Sequence, residues 1–378
     1  MTDPNEPLRR TPLTAVHESL GATLTGFAGW LMPLRYGSET AEHKAVRTAA
    51  GLFDLSHMGE ITITGADAAA TLDYALVGQP SALAPGRARY TMICAHDGGI
   101  MDDLIVYRLS GDEFLVVANA ANTGVVFQAL RDRARAGAQV FDRTADYALI
   151  AVQGPNAAQI LAALTDADLD AVKYYASYPA IVAGSQILLA RTGYTGEDGF
   201  ELFTRPQEAQ RVWEALAAAG AARGLVPAGL AARDTLRLEA GMPLYGNELR
   251  RDLTPFDAGL GRVVKLDKPG DFVGRAALAE RAGTVPEREL VGLVGRTRRV
   301  PRHGYDVLWD TAVCGTVTSG APSPTLAAPI AMAYVQPRVA LAARQADRGT
   351  VHGRLAVHIR GSAEPADLVP LPFYRRPS

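Results

Sequence analysis

The 378-residue sequence predicts an α+β chain, with two α/β segments followed by a separate all-β barrel or sandwich. Three observations carry this reading. Between residues 60 and 119, β-branched runs alternate with turns around one helical stretch. Between residues 148 and 240, buried strands alternate with helical periodicity. From about residue 281 the pattern changes to short strands and many turns, the signature of a β-only unit.

The elements follow in order. Residues 13–58 hold short apolar segments and turns, including Gly29-Trp30-Leu31-Met32-Pro33-Leu34. Ile61, Ile63 and Gly65 lead into a helix over 66–76. Stretches 90–94, 103–109 and 114–118 read as an antiparallel set joined by Gly- and Asp-containing turns. Val125, Val126, Ala129 and Leu130 share one face of a helix over 122–133. A buried strand over 148–152 ends in Gln153-Gly154-Pro155, and Asn156 is placed to cap a helix reaching Leu164. A strand over 181–190 leads to a glycine-rich corner, 191–201. Thr204 then caps a helix through Val212, Leu216 and Ala219, which Gly220 and Gly224 help to end. Another helix covers 228–240. Past a linker at 284–288, strands are expected at 290–294, 306–308, 314–318, 330–335 and 355–359.

Composition narrows the function classes. The chain is 48% hydrophobic and 21% charged with a net charge of −2, ordinary for a globular protein and long enough for two or three domains. No basic excess supports nucleic-acid binding through bulk charge. The two cysteines, Cys94 and Cys314, sit in apolar or small-residue surroundings and form no Cys-x-x-Cys pair, so buried free thiols are expected and no metal site. Residues 1–12 lack the apolar core of a signal peptide, and no run of about 18 apolar residues suggests a membrane span. A reducing, cytoplasmic setting follows. Walker A, Gly-x-Gly-x-x-Gly and Gly-x-Ser-x-Gly patterns are absent, and the seven histidines lack metal spacing.

Four features carry potential chemistry. Gly98-Gly99-Ile100-Met101-Asp102-Asp103-Leu104 reads as a tight turn whose two acids open a strand. Strand alternation sends Asp102 and Asp103 to opposite faces, so one of them meets protein interior or a cleft. The local pattern alone reads first as a hairpin with two solvated acids at its mouth. Tyr194 and Glu201, with Gly196 and Gly199 between them, can stack and hydrogen-bond a flat ligand, or form a hairpin with a surface acid. Arg233 and Arg237 lie one helical turn apart and call for carboxylates, from a ligand or from Asp234, Glu239 or another internal acid. His57 reads first as a hydrogen-bonded core or hinge histidine and second as catalytic.

These stretches occur in order with Thr11-Pro12-Leu13, Gly51-Leu52-Phe53-Asp54-Leu55-Ser56-His57-Met58, Leu244-Tyr245-Gly246 and Ser323-Pro324-Thr325-Leu326. Together they resemble the aminomethyltransferase (T-protein) family of the glycine cleavage system, from about residue 10 to 375. The resemblance implies a three-domain cloverleaf around a central folate site, with two discontinuous α/β domains and a C-terminal β-barrel or jelly-roll-like domain. The implied divisions are 1–58 plus 144–228, a ferredoxin-like 59–143 plus 229–283, and 284–378. It implies transfer of the one-carbon unit of an aminomethyl group, carried on the dihydrolipoyl arm of H-protein, to tetrahydrofolate. By the same resemblance Asp103 is the catalytic acid. Tyr90, Asn119, Tyr174, Tyr194, Glu201 and Arg233 lie near the folate, with Glu201 on the pterin edge. The chain departs from the family at Ala321-Pro322 and at Met242, and the basic Arg375-Arg376 tail is not assigned. Two alternatives share the scaffold: a tetrahydrofolate-dependent demethylase of a small methylated compound, and a non-enzymatic folate-binding iron–sulfur assembly factor. Relatives of the latter type carry a cysteine where this chain reads Asp271-Phe272-Val273-Gly274-Arg275.

Overall fold

A computed structural model describes residues 7–345 and 354–377. The chain forms two compact units, one from residues up to 93 with 102–233, the other from 94–101 with residues from 234 onward.

The first unit is built on two main sheets. One has six strands in the order Ser177–Val182, Ser185–Ala190, Gly199–Thr204, Ala148–Gln153, Ala50–Asp54, Leu225–Pro227. Its pairs are antiparallel except the last. Ala148–Gln153, apolar up to its last residue, is buried at every position, as a central strand covered on both faces is. Trp213 and Leu216 of the Ala209–Gly220 helix, and Ile160 and Leu161 of Ala157–Ala162, complete its core. The other sheet runs Arg87–Cys94, Ile100–Arg108, Glu113–Ala118, Gly59–Thr64, Gln139–Asp142. Helices Ala68–Ala75 and Thr123–Asp132 pack on it and on each other through Leu72, Val126 and Leu130.

Several local expectations need correction. The strand expected at 181–190 is a hairpin of Ser177–Val182 and Ser185–Ala190. Ala183 (φ 49°) and Gly184 (φ 74°) make its two-residue turn in the left-handed region. An alanine in the first turn position hides the usual sequence signal. Thr204 ends a strand instead of capping a helix, because Pro206–Glu208 forms a 3-10 turn and the helix begins at Ala209. Asn156 occupies the position before its helix, but its Nδ2 donates to the Arg223 carbonyl at 2.9 Å, and the helix ends at Ala162. The helix Glu39–Thr48 was not foreseen. Its start is marked by Ser38, whose hydroxyl accepts from the Ala41 N–H, but it is too polar to show an apolar stripe.

In the second unit, Glu289–Gly295, Ala328–Val335, Ala312–Ser323, Asp306–Trp309, Leu355–Ile359 and Ser362–Val369 close into a barrel in that order. Closure decides between the barrel and sandwich readings. The sixth strand, Ser362-Ala363-Glu364-Pro365-Ala366-Asp367, is too polar to read as a strand by itself; closure recruits it between Leu355–Ile359 and Glu289–Gly295. The helix Pro337–Gln345 was likewise not foreseen. Among the described residues, no helix is long and apolar enough to cross a membrane. The turn at 95–99 needs both of its glycines. Gly98 has φ 82°, and a Cβ on Gly99 would lie 2.2 Å from the Arg251 carbonyl oxygen.

Arg237 is fully buried in this unit. Its guanidinium reaches Asp234 Oδ1 (2.8 Å), Glu248 Oε2 (3.1 Å) and Ser319 Oγ (2.8 Å). Of the two arginines read together in sequence, this one is satisfied by internal acids. Arg237→Met leaves Glu248 buried without its cation and is expected to cost about 3–5 kcal/mol. Urea unfolding followed by fluorescence should show the loss. The double variant Arg237→Met/Glu248→Gln should recover a good part of it.

Candidate functional site

The sequence-selected residues converge in the first unit. Along the Ile100–Arg108 strand, Ile100, Asp102, Leu104 and Val106 are buried, while Met101, Asp103 and Ile105 are half-buried. The acids therefore face opposite sides as alternation requires, and Asp103 is the one at the accessible face. Both stand inside the strand, which begins two residues earlier than expected.

Asp102 is 0% exposed and receives three hydrogen bonds. Its Oδ2 accepts from the Asn119 N–H at 3.0 Å. Its Oδ1 accepts from Asn119 Nδ2 at 2.8 Å and Asn122 Nδ2 at 2.7 Å. Asp103 accepts from the Tyr90 hydroxyl at 3.1 Å through Oδ2 and from Asn119 Nδ2 at 2.8 Å through Oδ1. Asn119 stands where the Glu113–Ala118 strand passes into the 3-10 turn Ala120–Asn122. From there one amide reaches both carboxyls. Burial pushes Asp103 up to about 6, while Tyr90 and Asn119 hold it back. Burial, and then the charge of Asp103, push Asp102 up to about 7 against its three donors. Burial, followed by the neighbouring Asp103, drives the Tyr90 hydroxyl well above its ordinary range, so Tyr90 is a donor at neutral pH.

A second group surrounds Glu201 on the Gly199–Thr204 strand. Its Oε2 accepts from the Thr192 hydroxyl and, at 3.2 Å, from the Tyr107 hydroxyl. Burial raises its carboxyl, against the opposing influence of Thr192, the Arg233 charge and Tyr107. Tyr107 lies on the Asp103 side of the Ile100–Arg108 strand, four residues on, so one strand connects the acid pair to Glu201 across roughly 13 Å of backbone. The Arg233 guanidinium sits 4.7 Å from the centre of the Tyr194 ring, so a cation covers one face of the ring expected to stack a ligand.

The remaining residues separate. Tyr174 is 47% exposed, and its ring meets Tyr175 edge-on at 4.8 Å. Tyr175, which sequence reasoning passed over, is half-buried at φ 58°, and its hydroxyl is raised by burial, then Tyr174 and Glu201. Such a conformation is unusual for a bulky side chain. Thr192, Tyr107 and Asn122 were also missed as site residues; only the Asn119-x-x-Asn122 spacing could have signalled the last. His57 is buried with Nδ1 unpartnered, and burial together with Arg233 lowers it to about 4. It is a neutral core histidine packed edge-on against Phe27.

Two α/β sheets, a closed C-terminal barrel and a strand-borne acid held by tyrosine and amide donors match the class that the sequence resembles, folate-dependent one-carbon transferases. Comparison with known proteins makes this specific. Residues 13–268 match the GCVT N-terminal domain, and residues 288–375 match the glycine cleavage T-protein C-terminal barrel domain. An aminomethyltransferase of Streptomyces coelicolor is 64% identical over 373 residues, covering 98% of each chain. One of Bacillus subtilis is 43% identical, covering 98% of this chain and 100% of its own. The crystal structure of the glycine cleavage system aminomethyltransferase T from Bartonella henselae superposes with a TM-score of 0.88 at 36% identity, covering 98% of this chain and 99% of that one. The chain belongs to the glycine cleavage T-protein family. It is an aminomethyltransferase, with tetrahydrofolate as its one-carbon acceptor.

A carboxyl raised in the folded state costs stability as it ionises. Protonated in both states at low pH, it favours the unfolded chain as pH rises from about 4, where the unfolded carboxyl ionises, to about 6, and the penalty is constant above that. Asp103→Asn, which cannot ionise, should therefore gain on the parent between about pH 4 and pH 6 and hold that gain above it, by on the order of 2 kcal/mol. Thermal unfolding of both proteins across that range measures it.

Proposed function

We propose that Asp103, Tyr90, Asn119, Tyr174, Tyr194, Glu201 and Arg233 form the site in which tetrahydrofolate takes the one-carbon unit from an aminomethyl group on the dihydrolipoyl arm of H-protein. The products are 5,10-methylenetetrahydrofolate, ammonia and the reduced arm. The observation that carries this reading is the half-buried Asp103 carboxyl, held by Tyr90 at 3.1 Å and Asn119 at 2.8 Å and raised towards neutral pH. Such a group exchanges a proton near neutrality and, when ionised, stabilises an adjacent positive charge.

The chemistry follows. Cleavage of the C–S bond leaves a thiolate and a cationic iminium-like carbon, which ionised Asp103 stabilises. The folate N5 attacks that carbon and gives up its proton, with Asp103 as general base. The amino group, protonated, departs as ammonia. N10 closes the methylene bridge, and its proton balances the thiolate. Glu201, whose protein hydrogen bonds both fall on Oε2, accepts from the pterin N–H and amino group. The spacing between Asp103 and the Tyr107–Glu201 contact suits a pterin lying along the strand, one end on each acid. The three-part chain division is supported by the strands, since each main sheet and the barrel draws its strands from a single set. Cys94 and Cys314, both buried and neither in a disulfide, support a reducing, cytoplasmic setting.

Incubated with tetrahydrofolate and aminomethylated H-protein, the enzyme should release ammonia only when folate is present; folate-independent or absent release overturns the reading. Asp103→Asn should lower turnover by roughly 10²–10⁴-fold while folate affinity changes less than a few-fold. Because the base form must be ionised, kcat/KM should fall as pH drops below about 6, and the residual activity of Asp103→Asn should lose that limb. Glu201→Gln should instead weaken folate binding, by about tenfold in a titration.

A further inference from the structure

Asp102 is the one acid of the pair that no step above uses. It is fully buried beside a reacting group, in a place where an uncharged residue would cost less. All three of its contacts are donors, two from Asn119 and one from Asn122. An ionised carboxylate, which accepts only, satisfies every one of them. Asn119 is thereby pinned at two points, its backbone N–H and its side-chain amide. Its Nδ2 carries two hydrogens and faces Asp102 Oδ1 (2.8 Å), Asp103 Oδ1 (2.8 Å) and the Asp103 carbonyl (3.2 Å). One hydrogen held by Asp102 leaves the other directed at Asp103.

We propose that Asp102 is a positioning residue for the transfer reaction: acting through Asn119, it fixes the plane of the Asp103 carboxyl. The proposal rests on the reading of Asp103 as the acid that works at the folate. Asn122 is the outer anchor, since its amide donates to Asp102 and no hydrogen bond runs from it to Asp103. The groups that face the pair are Tyr90 from the neighbouring strand, with Tyr194 and Tyr175 beside it, and Asn119 and Asn122 from the turn after the next strand. Asp103 is the charge nearest to Asp102. Asp103 ionises first, and its charge then raises Asp102.

The test compares Asp102→Asn, Asn122→Ala and Asp103→Asn with the parent, using aminomethylated H-protein and tetrahydrofolate from pH 5 to 8.5. Asp102→Asn is expected to lower kcat by 10–100-fold and leave the KM for folate within about threefold, with the acid limb of kcat/KM kept near pH 6. A packing role alone raises KM as kcat falls, and an unchanged kcat, or a KM that rises with the loss of kcat, in a folded Asp102→Asn protein overturns the proposal. Asn122→Ala keeps both acids and should lower kcat about 3–10-fold at constant KM; an unchanged kcat overturns it independently, whether or not Asp102→Asn folds. Asp103→Asn separates the two readings. If it remains active, the assignment of Asp103 has failed; if it is inactive while the other variants match the parent, only the role of Asp102 has failed.

Discussion

One amide side chain, that of Asn119, holds two consecutive carboxyls in the interior of a sheet. The rest of the site depends on that contact. Two acids on neighbouring strand positions repel each other and are poorly solvated, and among the described residues no arginine or lysine is hydrogen-bonded to either. Five donor contacts from Tyr90, Asn119 and Asn122 take the place of a counter-ion. Neutral donors stabilise negative charge without cancelling it, so the acids stay close to their ionisation point. A salt bridge here would have made Asp103 a weaker base and a stable structural ion.

The same logic distinguishes the two arginines of the Leu230–Glu239 helix. Arg237 is buried among Asp234, Glu248 and Ser319, and its charge is consumed in holding the fold. Arg233 lies over Tyr194 and acts electrostatically on Glu201. His57 shows the opposite outcome: buried near the Arg233 charge, it is driven neutral and removed from acid–base work.

Tyr107 extends the site beyond the acid pair. Its ring packs edge-on against Phe203, while its hydroxyl reaches Thr192 at 3.0 Å and Glu201 at 3.2 Å. Those partners belong to the six-stranded sheet or the corner beside it, whereas Tyr107 belongs to the sheet that carries Asp103. The hydroxyl therefore sets where one sheet's acid lies relative to the other's. A polar contact satisfied on both sides specifies such an alignment more narrowly than apolar packing does.

Periodicity alone sufficed for much of this protein. The apolar strand Ala148–Gln153, the Thr123–Asp132 helix and the change to short strands after residue 281 are local patterns, and burial follows such patterns directly. Alternation along the Ile100–Arg108 strand also separated Asp102 from Asp103 before any contact was known. Tertiary structure decided what depends on partners distant in sequence. It closed the barrel with a polar sixth strand and split the 181–190 stretch at an Ala-Gly turn. It moved a helix start past Thr204 and turned the Asn156 side chain away from its helix. At the site it added Asn122, Thr192, Tyr107 and Tyr175, whose side chains carry no signature of their role until the strands are aligned. A hydrogen bond between residues 17 apart, such as Asn119 to Asp102, or 94 apart, such as Tyr107 to Glu201, leaves no periodic trace in the chain. The acids were legible because strand geometry acts on neighbours, and their clamp was not because it exists only once the sheet has formed.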